Sequence, residues 1–310
     1  MVAAAVFNVA STSTIVVLNK HVFSTYAFKF PILLVCVHMA ITWAGMRGAA
    51  ALGTFKLKPV GFRSAFLLAA VFNGYNVSSL ANLRLNSVGI YQLTKILIAP
   101  AVMVTEFALF NKRTSGMVKL AVAIMCIGVV AATVTDVQVH TVGMVASAAA
   151  IAGATAYQLS IARLQERFDA SSNQLLTACI PTALLIGLFM TPIDSLLTAE
   201  AEGDAAAITP LQWWHSENAN PEALFVIGLS GVAGLMVSLS TFLFIGAAGP
   251  LTYNVVGHIK TVTVLTSGWL VFGDFMSTQK LLGLMCTMAG IVLYSVVKMR
   301  ENSAQKMAEK

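Results

Sequence analysis

Apolar residues run along this chain in blocks of about twenty, broken at near-regular intervals by short polar or Gly- and Pro-containing stretches. A block of about 20 residues rises roughly 30 Å as an α-helix, which matches the hydrocarbon core of a bilayer. The pattern predicts ten spans: 2–19, 30–49, 62–82, 87–110, 117–135, 142–164, 173–192, 222–247, 250–272 and 280–298. Polar connections are expected at Lys56–Arg63, Asn111–Ser115, Asp136–His140 and Gly273–Gln279. The longest connection, Pro192–Pro221, holds Asp194, Glu200, Glu202, Asp204 and Glu217 but no lysine or arginine. The expected fold class is an all-α polytopic membrane protein.

Composition sharpens this reading. Of 310 residues, 57% are hydrophobic and only 10% charged, with a mean hydropathy of +0.80. A soluble domain carries about 25% charged residues, so this chain cannot cover itself with a polar surface. The net charge of +6 is no footprint of nucleic acid, because the basic residues sit in short groups between apolar runs without a recognition motif. Cys36, Cys126, Cys179 and Cys286 are dispersed in apolar runs without metal-ligand spacing, so buried free thiols are expected. Met1 enters the first span without the basic stretch that opens a cleavable signal peptide, so none is expected; an N-terminal tail missing from this chain is equally compatible.

Charge also sets the expected orientation. Of 19 basic residues, thirteen fall in the connections after spans 2, 4 and 6 and in the C-terminal tail, Lys56, Lys112, Arg163 and Arg300 among them. Four (Lys20, Lys29, Arg84 and Lys280) fall on the opposite side. The positive-inside rule then puts both termini in the cytosol and the acidic 192–221 connection in a lumen or exterior.

Two basic residues remain, Lys95 and Lys260, each near the middle of a span. An ionisable group there costs at least about 2.5–3.5 kcal/mol on insertion scales and usually faces a partner or a water-filled cavity. A lysine stem reaches about 6 Å, some four residues of helix rise. Lys95 lies about eight residues inside its span and Lys260 about ten, so snorkelling explains neither.

The spans that hold the two lysines belong to an internal echo. Shifted by 162 residues, spans 3–5 fall on spans 8–10 without a gap: Tyr91 meets Tyr253, Phe110 meets Phe272, Ser115 meets Ser277, Leu120 meets Leu282 and Gly128 meets Gly290. A displacement of five spans reverses direction, so the expectation is two inverted five-helix repeats, 1–140 and 141–310, with a site near the midplane. In "LNSVGIYQLTKILIAP", Tyr91 and Lys95 share a helix face. In "GPLTYNVVGHIKTVTVL", Tyr253, Gly257 and Lys260 do the same, and Gly257 would allow close approach of a ligand or a neighbouring helix. An aromatic ring with an ammonium, presented twice, suits a ligand with a flat ring and a phosphate.

These stretches, with "STSTIVVLNKHVF", "FKFPILLVCVH" and "ATVTDVQ", resemble the nucleotide-sugar and triose-phosphate transporter branch of the drug/metabolite transporter superfamily. Within it they resemble plant and algal Golgi UDP-sugar transporters of the UDP-galactose and UDP-rhamnose type. The resemblance implies ten helices in inverted repeats, alternating access, and exchange of a cytosolic nucleotide sugar for a lumenal nucleoside monophosphate, here UMP. It implies a Golgi membrane location and no cofactor, and it leaves a homodimer open.

Departures from neighbouring branches narrow the substrate. Plastid phosphate translocators carry Lys–Arg where this chain has Lys260 and Thr261, so a plastid-type phosphorylated-metabolite translocator is the alternative reading, short of one cation. GDP-mannose transporters carry asparagines where this chain has Val255 and Ile259, and Ile90 stands where Phe is common. The expected substrate site is Lys260, Lys95, Tyr253, Tyr91, Asn254, Gly257, Gln92 and Thr261: lysines for phosphate, tyrosines as walls, Asn254 and Gln92 for base or sugar. A UDP-sugar carries about −2 and a phosphate monoester about −1.5 to −2, so two lysines suit both. His258 lies off the Lys260 face and is expected to pack; His38 and Lys20 are lesser candidates, and Glu106 is expected to pair with Lys112, Arg113 or a helix end. Neither a nucleophile–base set nor a metal-ligand cluster is evident, so an enzyme is not expected.

Overall fold

Glycine and proline divide the apolar runs, and the helices follow that division. The computed structural model describes residues 2–86, 88–133, 141–194, 209–272 and 278–308. All its regular secondary structure is helical: α1 (Val2–Thr25), α2 (Pro31–Ala51), α3 (Phe62–Leu85), α4 (Val88–Phe110), α5 (Gly116–Thr133), α6 (Thr141–Arg167), α7 (Ser172–Met190), α8 (Pro210–Trp214), α9 (Pro221–Phe272) and α10 (Thr278–Ala308). Among the described residues, five stretches are long and apolar enough to cross a membrane: Pro31–Ala51, Thr141–Arg167, Ser172–Met190, Pro221–His258 and Leu281–Glu301. Large apolar side chains such as Phe189 and Phe225 remain exposed, as a hydrocarbon surround permits. The chain is a multi-pass membrane protein.

The 52 residues of α9 would rise about 78 Å if straight, far more than a bilayer. They do not run straight. Gly249 takes φ 81 and ψ 163, a conformation glycine tolerates best, and Pro250 follows it. Proline suits the first turn of the new helix because its missing N–H has no intrahelical partner there. The break leaves arms at 221–248 and 250–272, the boundary expected between spans 8 and 9. The connections expected at Asp136–His140 and Gly273–Gln279 lie largely outside the described residues, as do Glu200, Glu202 and Asp204.

The chain forms two compact units. The first comprises 1–77 and 160–249. Here α2 packs on α7, and one end is closed by an aromatic cluster in which Phe28 meets Phe30 and Trp213 edge-on at 5.3 and 4.8 Å. Trp213 sits on α8, which the sequence reading left as loop. Thr209 and Gln212 cap that helix reciprocally, and the Trp213 indole N–H donates to the Tyr26 carbonyl at 2.8 Å. The segment is thereby tied down.

A second tie joins the start of α2 to the end of α7. Pro31 opens α2, but Phe30 at the cap position has no side-chain acceptor. Asp194 supplies it: its two carboxylate oxygens accept from the Ile32 and Leu33 N–H groups at 2.9 Å each. Burial outweighs the lowering by the two backbone hydrogen bonds and raises its pKa from 3.8 to about 6.

The second unit comprises 78–159 and 250–310. Its centre is the antiparallel pair α5 and α10. A Cβ on Gly128 would meet Thr287 and Gly283, and one on Gly290 would meet Met125 and Ala121. Each contact maps onto the other by the 162-residue offset of the sequence echo. Ala99 of α4 and Val255 of α9 join Met125, Ile291 and Tyr294 in the surrounding core. Of the four cysteines, all free, Cys36 and Cys179 are buried, whereas Cys126 and Cys286 are half-buried, so the expectation of full burial holds for two.

Candidate functional site

All eight expected site residues fall within the second unit. On α4 the first turns carry Tyr91 and, one turn later, Lys95. The Lys95 ammonium lies 4.2 Å from the Tyr91 ring centroid, a cation–π distance. Lys95 is exposed and Tyr91 half-buried. Thr94 beside it is buried, and Gln92 lies in the helix with a side chain outside the described part.

The second arm of α9 carries the rest. Tyr253 is half-buried and Asn254 buried. Asn254 and Gln158 of α6 clasp amide to amide: Asn254 Nδ2 donates to Gln158 Oε1 at 2.6 Å, and Gln158 Nε2 donates to Asn254 Oδ1 at 3.3 Å. Asn254 Nδ2 also donates to the Pro250 carbonyl at 3.0 Å. A Cβ at Gly257 would meet nothing within 4 Å among the described residues, so none of them uses this glycine for close packing. Lys260 and Thr261 continue the helix, and their side chains lie outside the described part.

His258 is buried as expected for a packing residue, yet its Nε2 has no hydrogen-bond partner among the described residues. His38 belongs to the first unit, where its Nε2 meets Ser230 Oγ at 3.0 Å, and it is thus outside the unit holding the other candidates. The Lys20 side chain lies outside the described part. Glu106 binds Lys112 at 2.7 Å, the pairing expected from their positions. Among the described residues, no three His, Cys, Asp or Glu side chains gather to hold a metal.

The sequence reading passed over two polar groups here. Gln158 stands in the middle of an apolar span, and that interruption was its available signal. The other is a knot where α3 gives way to α4: Asn86 Nδ2 donates to Asn82 Oδ1 and the Gly143 carbonyl at 2.8 and 2.7 Å, and Ser147 Oγ donates to Asn82 Oδ1 at 2.7 Å.

Comparison with known proteins adds an independent line. The model of the Triose-phosphate Transporter family matches residues 4–295. UDP-xylose transporter 2 of Arabidopsis thaliana is 35% identical over 93% of this chain and 78% of its own length. UDP-rhamnose/UDP-galactose transporter 2 of the same plant is 32% identical over 93% of this chain and 80% of its own. Among the solved structures that match, a crystal structure has a TM-score of 0.66 at 14% identity, covering 95% of this chain and 99% of that one, which speaks to the fold alone. With a family match over nearly the full length, the chain belongs to the Triose-phosphate Transporter family and is a transporter rather than an enzyme.

Proposed function

We propose that this protein exchanges a UDP-sugar for UMP across a Golgi membrane, carrying the sugar nucleotide from cytosol to lumen by alternating access. In this reading ten helices cross the bilayer as two inverted repeats, with both termini cytosolic. The symmetric Gly128 and Gly290 contacts between α5 and α10 support the repeats. The basic asymmetry of the connections supports the orientation.

The observation that carries the proposal is the Lys95–Tyr91 stack, in one compact unit with the helical segment Tyr253–Lys260. Lys95 and Lys260 bind the phosphates, the tyrosines flank the rings, and Gly257 admits the ligand. Thr261 replaces the second cation that a small phosphate ester would use, which favours a nucleotide sugar over a triose phosphate. Relatives named for UDP-xylose and for UDP-rhamnose/UDP-galactose support the UDP-sugar class. Xylose, rhamnose and galactose differ by single hydroxyls and carbons, so all three sugars belong in the test.

Uptake into proteoliposomes preloaded with UMP tests the class. UDP-xylose, UDP-galactose and UDP-rhamnose are offered alongside GDP-mannose and a triose phosphate. Uptake of at least one UDP-sugar, well above GDP-mannose and triose phosphate, is expected. Preferred uptake of triose phosphate would replace the proposal with the plastid-type translocator.

A further inference from the structure

The Gln158–Asn254 clasp carries more than packing requires. It joins residues 96 apart in sequence, both buried in the second unit. Its two halves are unequal. The Asn254 amide N–H groups have short acceptors at 2.6 and 3.0 Å, whereas Gln158 Nε2 donates only across 3.3 Å. Gln158 is the more weakly held partner. One turn along each helix lies a buried polar atom with no partner among the described residues: Thr155 Oγ1, three residues before Gln158, and His258 Nε2, four residues after Asn254. Thr155 is 5% exposed and His258 4%. A purely structural amide pair has no need of two further unsatisfied groups on the same helix faces.

The chemistry of the clasp names its ligand. Each carboxamide sets a donor beside an acceptor and reads the same pattern in its partner. The imide edge of uracil, N3–H flanked by O4 and O2, carries that pattern. A uracil can therefore take the place of one amide and offer the other the same donor and acceptor. The neighbouring hydroxyl and imidazole nitrogen remain for the second carbonyl or a ribose hydroxyl. We propose that Gln158 and Asn254, with Thr155 and His258, form the base-reading subsite of this transporter, the clasp standing in for uracil when no nucleotide is bound. This rests on the UDP-sugar reading above and assigns Gln158, Thr155 and His258 a role in it.

The test compares UMP with ribose 5-phosphate, which keeps the phosphate and sugar but lacks the base. The full chain is purified, and stabilisation against heat by each compound is titrated. Wild type is expected to respond to UMP at concentrations at least tenfold below those of ribose 5-phosphate. Gln158→Glu keeps size and acceptors but removes the donor, and is expected to close most of that gap. So is His258→Phe, which removes the unpartnered nitrogen. The double variant Gln158→Leu/Asn254→Leu removes both amides together. A structural clasp would leave its UMP preference at the wild-type value, because no buried amide is orphaned; a base reader loses the preference. An unchanged UMP to ribose 5-phosphate ratio in Gln158→Glu, or in the double variant, overturns the subsite. If wild type exchanges UDP-sugars yet binds UMP no better than ribose 5-phosphate, the subsite is wrong and the transport function stands. If wild type neither binds UMP nor takes up any UDP-sugar, the function itself is wrong and the subsite falls with it.

Discussion

Lys95 shows how a charge is kept in an apolar helix. Its ammonium rests 4.2 Å from the Tyr91 ring centroid, an attraction of about 0.5–2 kcal/mol. Lys260 is the proposed second phosphate contact, three residues beyond Gly257, the position that the 162-residue offset pairs with Lys95. Lys260→Met keeps most of the stem and removes the charge. Losing a charged hydrogen bond of about 1.5–3 kcal/mol weakens binding by roughly 10–150-fold, so transport at subsaturating substrate should fall by that much with insertion intact. Lys260→Arg should not restore full activity, because a planar fork replaces a compact ammonium. Wild-type uptake rates in the Met variant would remove phosphate binding from this residue. Glu106 was legible in advance, because Lys112 lies within reach beyond the same helix end. The partner of Asn254 was not: Gln158 is 96 residues distant, and only folding of α6 against α9 selects it.

At the scale of elements, the helices were readable because run length and punctuation decide them locally. The break at Gly249 and Pro250 is the clearest case: a positive φ needs glycine, and a first turn accepts proline. The α8 helix was missed because its five residues draw their order from Trp213 docking beneath Tyr26, a distant contact. Asp194 was missed for a similar reason. Read as one acid in an acidic connection, it instead caps α2 across 162 residues of sequence. Its pKa stands above the unfolded value, so the folded protein binds that proton more tightly. The stabilisation from this group is full below pH about 4 and is lost as pH rises through about 6. Wild type should therefore lose thermal stability between pH 5 and 7 more steeply than Asp194→Asn, which cannot titrate. Parallel pH profiles for the two proteins would show that Asp194 is not the group responsible. Asp194→Asn should also be less stable than wild type at pH 7, because one of two buried N–H groups loses its acceptor.

For the whole molecule, the proposed repeat is only faintly legible in the sequence. Identities such as Tyr91 with Tyr253 are few, as two halves with different neighbours would keep in common only what the architecture demands. The α5–α10 crossing keeps a glycine in each half, since backbone or side-chain atoms of the facing helix come within 3.0 Å of where each Cβ would stand. A transporter that holds its ligand between two lysines has reason to couple its directions of travel. Without an anion, both ammonium groups would have to pass through the closed state unneutralised, at the cost that intramembrane charges carry. Exchange should follow from that cost. The most direct measurement loads proteoliposomes with labelled UMP and follows its release when unlabelled UDP-xylose, UDP-galactose or UDP-rhamnose is added outside. Prompt release on addition of at least one UDP-sugar, with little release into buffer or into triose phosphate, is the expected result. Release at the same rate into buffer, or release driven by triose phosphate and by no UDP-sugar, would contradict the account.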